Sequence, residues 1–142
     1  MHGWWALTCP APALPFFASR FSRDSVTSGL FTLSIALPLA LLVVALLCRA
    51  AGSGRLKRNG FAGIRLSSTM ANEDAWRRGH RAAERPAWLG FIVALVAAAV
   101  GWLARSSPTA VDVSVAVVCV AFVAAFIWSV AAAVRAARSA GF

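Results

Sequence analysis

Charge is what this chain has least of: Asp, Glu, Lys and Arg together make up 13% of its 142 residues, about half of the roughly 25% in an ordinary soluble domain. A soluble domain of this length needs polar residues spread at helical or strand period to cover its surface, and here they are gathered into blocks. Acids are scarcer still, five in all, and none form the paired carboxylates of a general acid–base site. No nucleophile stands with a partnered base, and no phosphate-cradling glycine loop appears, so catalysis and a bound cofactor are not expected. Cysteine is limited to Cys9, Cys48 and Cys119. They share no CxxC or Cys/His spacing, which argues against a disulfide framework and against a metal site.

What is abundant is apolar. Hydrophobic residues make up 60% of the chain and the mean hydropathy is +0.73, the composition of one small membrane domain with the lipid bilayer as its first partner. The net charge is +9. In a soluble protein that would raise the question of nucleic acid. Nine of the fourteen basic residues, however, lie between Arg49 and Arg85, between apolar runs, and basic enrichment of short cytoplasmic loops is a topogenic rule that needs no ligand. Nucleic acid is therefore not an expected partner. All but one of the basic residues are Arg, and with the abundant Ala and Val this suggests a GC-rich bacterial genome.

Three apolar runs predict three transmembrane helices, at about 30–47, 87–104 and 110–134. Leu30 to Leu47 reaches about 27 Å at 1.5 Å per residue, close to the hydrocarbon thickness of about 30 Å. Pro38 near its middle predicts a kink, with a neighbouring helix or Ser34 serving the freed carbonyl. The second run opens with Pro86 in its first turn, where a missing N–H costs nothing, and Trp88 and Trp102 mark its two interfaces. Gly90, Ala94, Ala98 and Gly101 give it a small-residue face that lets another helix approach closely, within the chain or in a dimer. Arg105-Ser106-Ser107-Pro108 turns the chain into the third run. There Thr109 reads as the helix cap, with Asp112 three residues on as the acid near the positive end of the dipole.

Before these runs, residues 1–28 form an aromatic, proline-rich segment. Pro10, Pro12 and Pro15 interrupt any helix there, while Trp4, Trp5, Phe16 and Phe17 suit an interfacial anchor. No basic n-region precedes its apolar part, so no signal peptide is expected. The basic residues set the orientation: loop 49–86 and the tail 136–142 in the cytoplasm, the Arg105 turn outside. Arg20 and Arg23 point the other way, and nine charges outweigh two.

Within the loop, Asn72-Glu73-Asp74 followed by Arg77, Arg78, His80 and Arg81 predicts a short amphipathic helix between the first and second spans. It has an Asn cap, acids in its first turn and bases in its last. Such a helix should lie along the membrane surface with Trp76 at headgroup level. Gly60 and Gly63 ahead of it permit a sharp turn.

The loop residues Asn59, Gly63-Ile64-Arg65, Thr69, Trp76 and His80 resemble the signature of the SdpI family of bacterial integral membrane proteins in order, spacing and position between two spans. The resemblance covers about residues 30–135. Leu66-Ser67 stands where family members often read Thr-Pro. Fuller members carry additional N-terminal spans, so this chain resembles their C-terminal unit. The resemblance implies an all-α protein of the bacterial cytoplasmic membrane that acts by binding. The implied role is immunity, protection of the producer from a secreted membrane-active peptide toxin; in the founding system the protein also holds a repressor at the membrane. A second reading is a small accessory subunit packed against a larger membrane enzyme or transporter through the small-residue face of span two. Beside both stands a structural reading of the loop: Arg65 paired with Glu73, Asp74 or lipid phosphate, Trp76 an interfacial anchor, His80 a surface helix residue.

Overall fold

A computed structural model of the chain describes residues 14–139, with side chains from Gly29 onward. It contains α1 (Leu14–Gly52), α2 (Glu73–Leu103) and α3 (Pro108–Arg138) and, among the described residues, no strand. All three helices are long and apolar enough to cross a membrane, so the chain is an all-helical, multi-pass membrane protein.

α1 begins well before the first apolar run, so residues 14–28 are helical and not an interrupted lead-in. Pro15 falls in the first turn of α1, where its fixed φ suits a helix and no partner is lost. The expectations for residues 1–13 and for the Phe16 and Phe17 side chains lie outside what is described. Pro38 stands inside α1 and is buried. The Ser34 hydroxyl donates to the Phe31 carbonyl at 2.7 Å, and so does not serve the carbonyl that Pro38 leaves unpaired.

The largest departure from the sequence reading concerns α2. No separate surface helix lies between the first two spans; the Asn72-capped segment is the start of α2 itself. The cap is as expected: the Asn72 side chain accepts from the Ala75 N–H at 2.7 Å, and Glu73 and Asp74 fill the first turn. The 31 residues of α2 reach about 46 Å, against about 30 Å of hydrocarbon. Its charged N-terminal turns therefore stand out of the membrane, and the lipid-crossing part begins near Pro86.

Pro86 lies mid-helix, buried, and not in a first turn. A proline there removes the bond to the carbonyl four residues back and crowds the preceding turn. α3 packs a polar side chain against the same turn: the Ser129 hydroxyl donates to the Ala83 carbonyl, three residues before the proline, at 3.4 Å.

α2 is the central element, packed on both α1 and α3, while α1 and α3 touch least. Its small-residue face is spent inside the chain. A Cβ on Gly90 would stand 2.1 Å from the Ala125 Cβ, and one on Gly101 would stand 2.0 Å from the Ser114 Oγ. Ala94 is fully buried with Leu41, Val118 and Ala125, and Ala98 packs at the edge of that cluster. With no hydrophobic driving force between helices in lipid, such close backbone approach supplies the attraction. Trp102 meets Phe31 edge-on at 6.1 Å and lies under the Arg105 guanidinium at 5.5 Å. α3 is capped by Ser107, whose hydroxyl accepts from the Ala110 N–H at 3.4 Å. Thr109 is not the cap, because Pro108 already occupies the start of the helix with a φ preset for it. Asp112 is exposed on the following turn.

Candidate functional site

The end of α1 leaves four backbone carbonyls without helical partners, and the chain satisfies each. Arg49 O accepts from the Ser53 N–H at 3.0 Å, Ala50 O from Leu56 N–H at 2.9 Å and Ala51 O from Gly54 N–H at 3.1 Å. Gly52 O accepts from the Arg81 guanidinium of α2 at 3.1 Å. Gly54, at φ +81°, is the left-handed residue that commonly ends a helix. The chain then folds back over the extramembrane turns of α2.

Its path is held by the signature residues. Asn59 Oδ1 accepts from the N–H groups of Phe61 and Ala62, both at 2.9 Å, and its Nδ2 donates to Lys57 O at 2.8 Å. The Arg65 guanidinium donates back to the Gly60 carbonyl, closing that turn. Thr69, fully buried, pins the next one: its hydroxyl accepts from Leu66 N–H at 2.9 Å and shares its proton between the carbonyls of Ile64 at 2.7 Å and Leu66 at 3.0 Å. Arg58 ties the first half of the loop to the second through the Met70 carbonyl.

Trp76 and His80 join this loop to α2. Both are fully buried, with ring centroids 4.0 Å apart. The Trp76 indole N–H donates to Leu56 O at 3.0 Å, so one residue caps α1 with its N–H and receives α2 with its carbonyl. His80 Nε2 accepts from the Ile64 N–H at 2.8 Å. That nitrogen therefore carries no proton, and Nδ1, 2.8 Å from Trp76 O, is the donor. The imidazole is the neutral Nδ1–H tautomer. His80 lies in the extramembrane turns of α2, where burial lowers its pKa below the usual histidine range, outweighing the Trp76 carbonyl bond that raises it.

Gly63 makes the junction possible. It has φ +101°, and a Cβ there would stand 2.6 Å from His80 Nε2 and 2.8 Å from the Trp76 ring. Any side chain would meet both a disfavoured backbone conformation and the two rings. Gly79, three residues after Trp76, lets Thr69 and Ala133 approach within contact of α2.

The structure thus brings Asn59, Gly63, Arg65, Thr69, Trp76 and His80 into one hydrogen-bonded clamp. It differs from the structural reading of the loop at three points. Trp76 is roofed by the loop and not at a headgroup surface, His80 is buried, and no Arg65–carboxylate ion pair forms among the described residues. Gly60 has open space around it and no positive φ, so the sharp turns are made by Gly54 and Gly63. The sequence reading singles out neither Leu56 nor Arg58, and takes Arg81 only as a base in the last turn of a surface helix. The Gly52-Ser53-Gly54 run after an apolar stretch is the helix-stop signal that points to the first of these, whereas both arginines act through tertiary contacts.

The helix-packing residues Gly90, Ala94, Ala98 and Gly101 lie in the membrane part of α2 and away from the clamp. Neither a curated protein nor a solved structure matches the chain. The family model of the SdpI/YfhL proteins matches residues 55–132, from the start of the clamp to near the end of α3. Loop, clamp and the helical hairpin beneath it are thus one unit, and the chain belongs to the SdpI/YfhL protein family.

Proposed function

We propose that this chain protects its cell by binding, as an immunity protein against a membrane-active peptide toxin, and that the outer surface of the clamped loop is where it docks. The observation that supports this reading is the clamp. A connector between two spans needs none of the side-chain hydrogen bonds that fix residues 59–69, and a loop held in one shape is what a recognition surface requires. Its outer side presents Phe61 and Arg65, both exposed. On the positive-inside rule this surface and the C-terminus face the cytoplasm of a bacterial cell.

The accessory-subunit reading has lost the surface it rested on, because Gly90 and Gly101 are filled by Ala125 and Ser114 of α3.

The test is a deletion strain exposed to conditioned medium of the producing strain, with membrane potential followed by a voltage-sensitive dye. Depolarisation on deletion, restored by the wild type and not by an inserted Arg65→Ala variant, is the expected result. Arg65 is the informative position, since its side chain is exposed and Trp76 is structural. An unchanged potential in the deletion strain refutes the reading.

A further inference from the structure

α2 separates α1 from α3 near the clamp, and the space left between the outer two helices is a cleft of about 340 Å³. Its walls include Val44 and Leu47 of α1 and Phe126 and Val130 of α3, and the loop roofs it with Ile64 and Arg65. The volume lies at the low end of small-ligand pockets, about 300–1,000 Å³. That suits a flexible chain and not a further helix, which is about 10–12 Å across with its side chains.

Three features decide what fills it. The walls belong to membrane-crossing helices, so the cleft opens where the surrounding solvent is acyl chain. Its roof carries a guanidinium with one donor engaged by the Gly60 carbonyl and, among the described residues, no carboxylate in ion-pair contact. Arg presents five donors in a fork that suits phosphate. Beside it Phe61 is 97% exposed, an aromatic at the membrane face with nothing among the described residues to cover it, as expected of a side chain that enters the headgroup region.

We propose that this cleft is a binding site for one anionic phospholipid, with an acyl chain between α1 and α3 and the headgroup phosphate on Arg65. The lipid fills the gap that the sparse packing of α1 on α3 leaves below the loop and holds the loop to the membrane face. The lipid site shares Arg65 and Phe61 with the docking surface proposed above, and its test needs no toxin.

The experiment is native mass spectrometry of the full chain, purified in mild detergent and equilibrated with mixed micelles of phosphatidylglycerol and phosphatidylcholine of identical acyl chains. The wild type should retain one lipid per chain with phosphatidylglycerol preferred. Arg65→Ala should cut that preference about fivefold, the contribution of one basic side chain near the surface, while Arg65→Lys, which keeps the charge, should preserve it. Val130→Phe, which fills the cleft, should lose lipid of either headgroup. Circular dichroism of each variant guards against misfolding as the cause. Equal retention by the wild type and Val130→Phe overturns the proposal, as does an unchanged preference in Arg65→Ala. An amphipathic peptide that binds the wild type but not Val130→Phe, without displacing lipid, would assign the cleft to peptide and also overturn it.

Discussion

The two ends of α2 are held by different physics. In the membrane, Gly90 and Gly101 bring the backbones of α2 and α3 so close that the Cβ of a larger residue would overlap the neighbour. No polar partner is needed there beyond the Ser129 bond below Pro86. Outside the membrane the same helix is gripped by named hydrogen bonds to Leu56 and Ile64, and only one glycine there, Gly63, is both at positive φ and pressed against rings. Lipid offers apolar surface everywhere, so helix association there must come from close packing. Water competes for every backbone group, so a loop is fixed only where its N–H and C=O groups find better partners than water. The contrast separates what stabilises the fold from what shapes the site.

That separation can be broken by substitution. The largest effect is expected from Gly90→Val, whose side chain has no room against Ala125. It should cost about 3 kcal/mol, read as a drop in the thermal midpoint of the helical signal in detergent. Gly63→Ala should cost about 2 kcal/mol, from backbone strain and the clash with His80 and Trp76. It should appear as rapid proteolysis within residues 55–72 while the helical midpoint changes little. Equal loss of helical midpoint in both variants would break the comparison, because loop and bundle would then be one cooperative unit.

Thr69→Val keeps the volume of a buried residue and removes the hydroxyl that serves Ile64 and Leu66. About 1.5 kcal/mol of loop stability should be lost, measured as faster amide exchange at Leu66 with α2 and α3 unaffected. Smallest, and reversible, is the effect of acid. The His80 pKa is lowered in the folded chain, so the unfolded loop binds the proton more readily and stability rises with pH. The contribution is complete above the ordinary histidine pKa of about 6.5. It is lost as pH falls from there towards the lowered folded value, because a proton on Nε2 faces the Ile64 N–H. Loop proteolysis should accelerate across that acid window in the wild type and show no such dependence in His80→Gln.

How much of this was legible beforehand follows the same division. The three spans were readable because each is an uninterrupted apolar run, and the clamp residues were readable as a family signature. Their geometry was not. Trp76 was read as an interfacial anchor because tryptophan so often is one, and nothing local says that Leu56, twenty residues earlier, will accept its N–H. Pro86 was read as a helix start because proline favours first turns. Its buried setting inside α2, against a turn whose Ala83 carbonyl is bonded by Ser129, 46 residues further along the chain, is not written in the local sequence. Thr109 lost the cap to Ser107 through a local signal, the proline at 108, that had been read only as a turn. Long-range contacts thus account for most of the misreadings, and one neighbouring residue for the last.

Residues 59–69 form a fixed clamp on α2 and not a mobile connector. Site-resolved amide hydrogen exchange on the full chain in lipid nanodiscs tests it most directly. The Ile64 and Leu66 amides should exchange as slowly as those in the first turns of α2. Exchange of both at the rate of an unstructured peptide would contradict it.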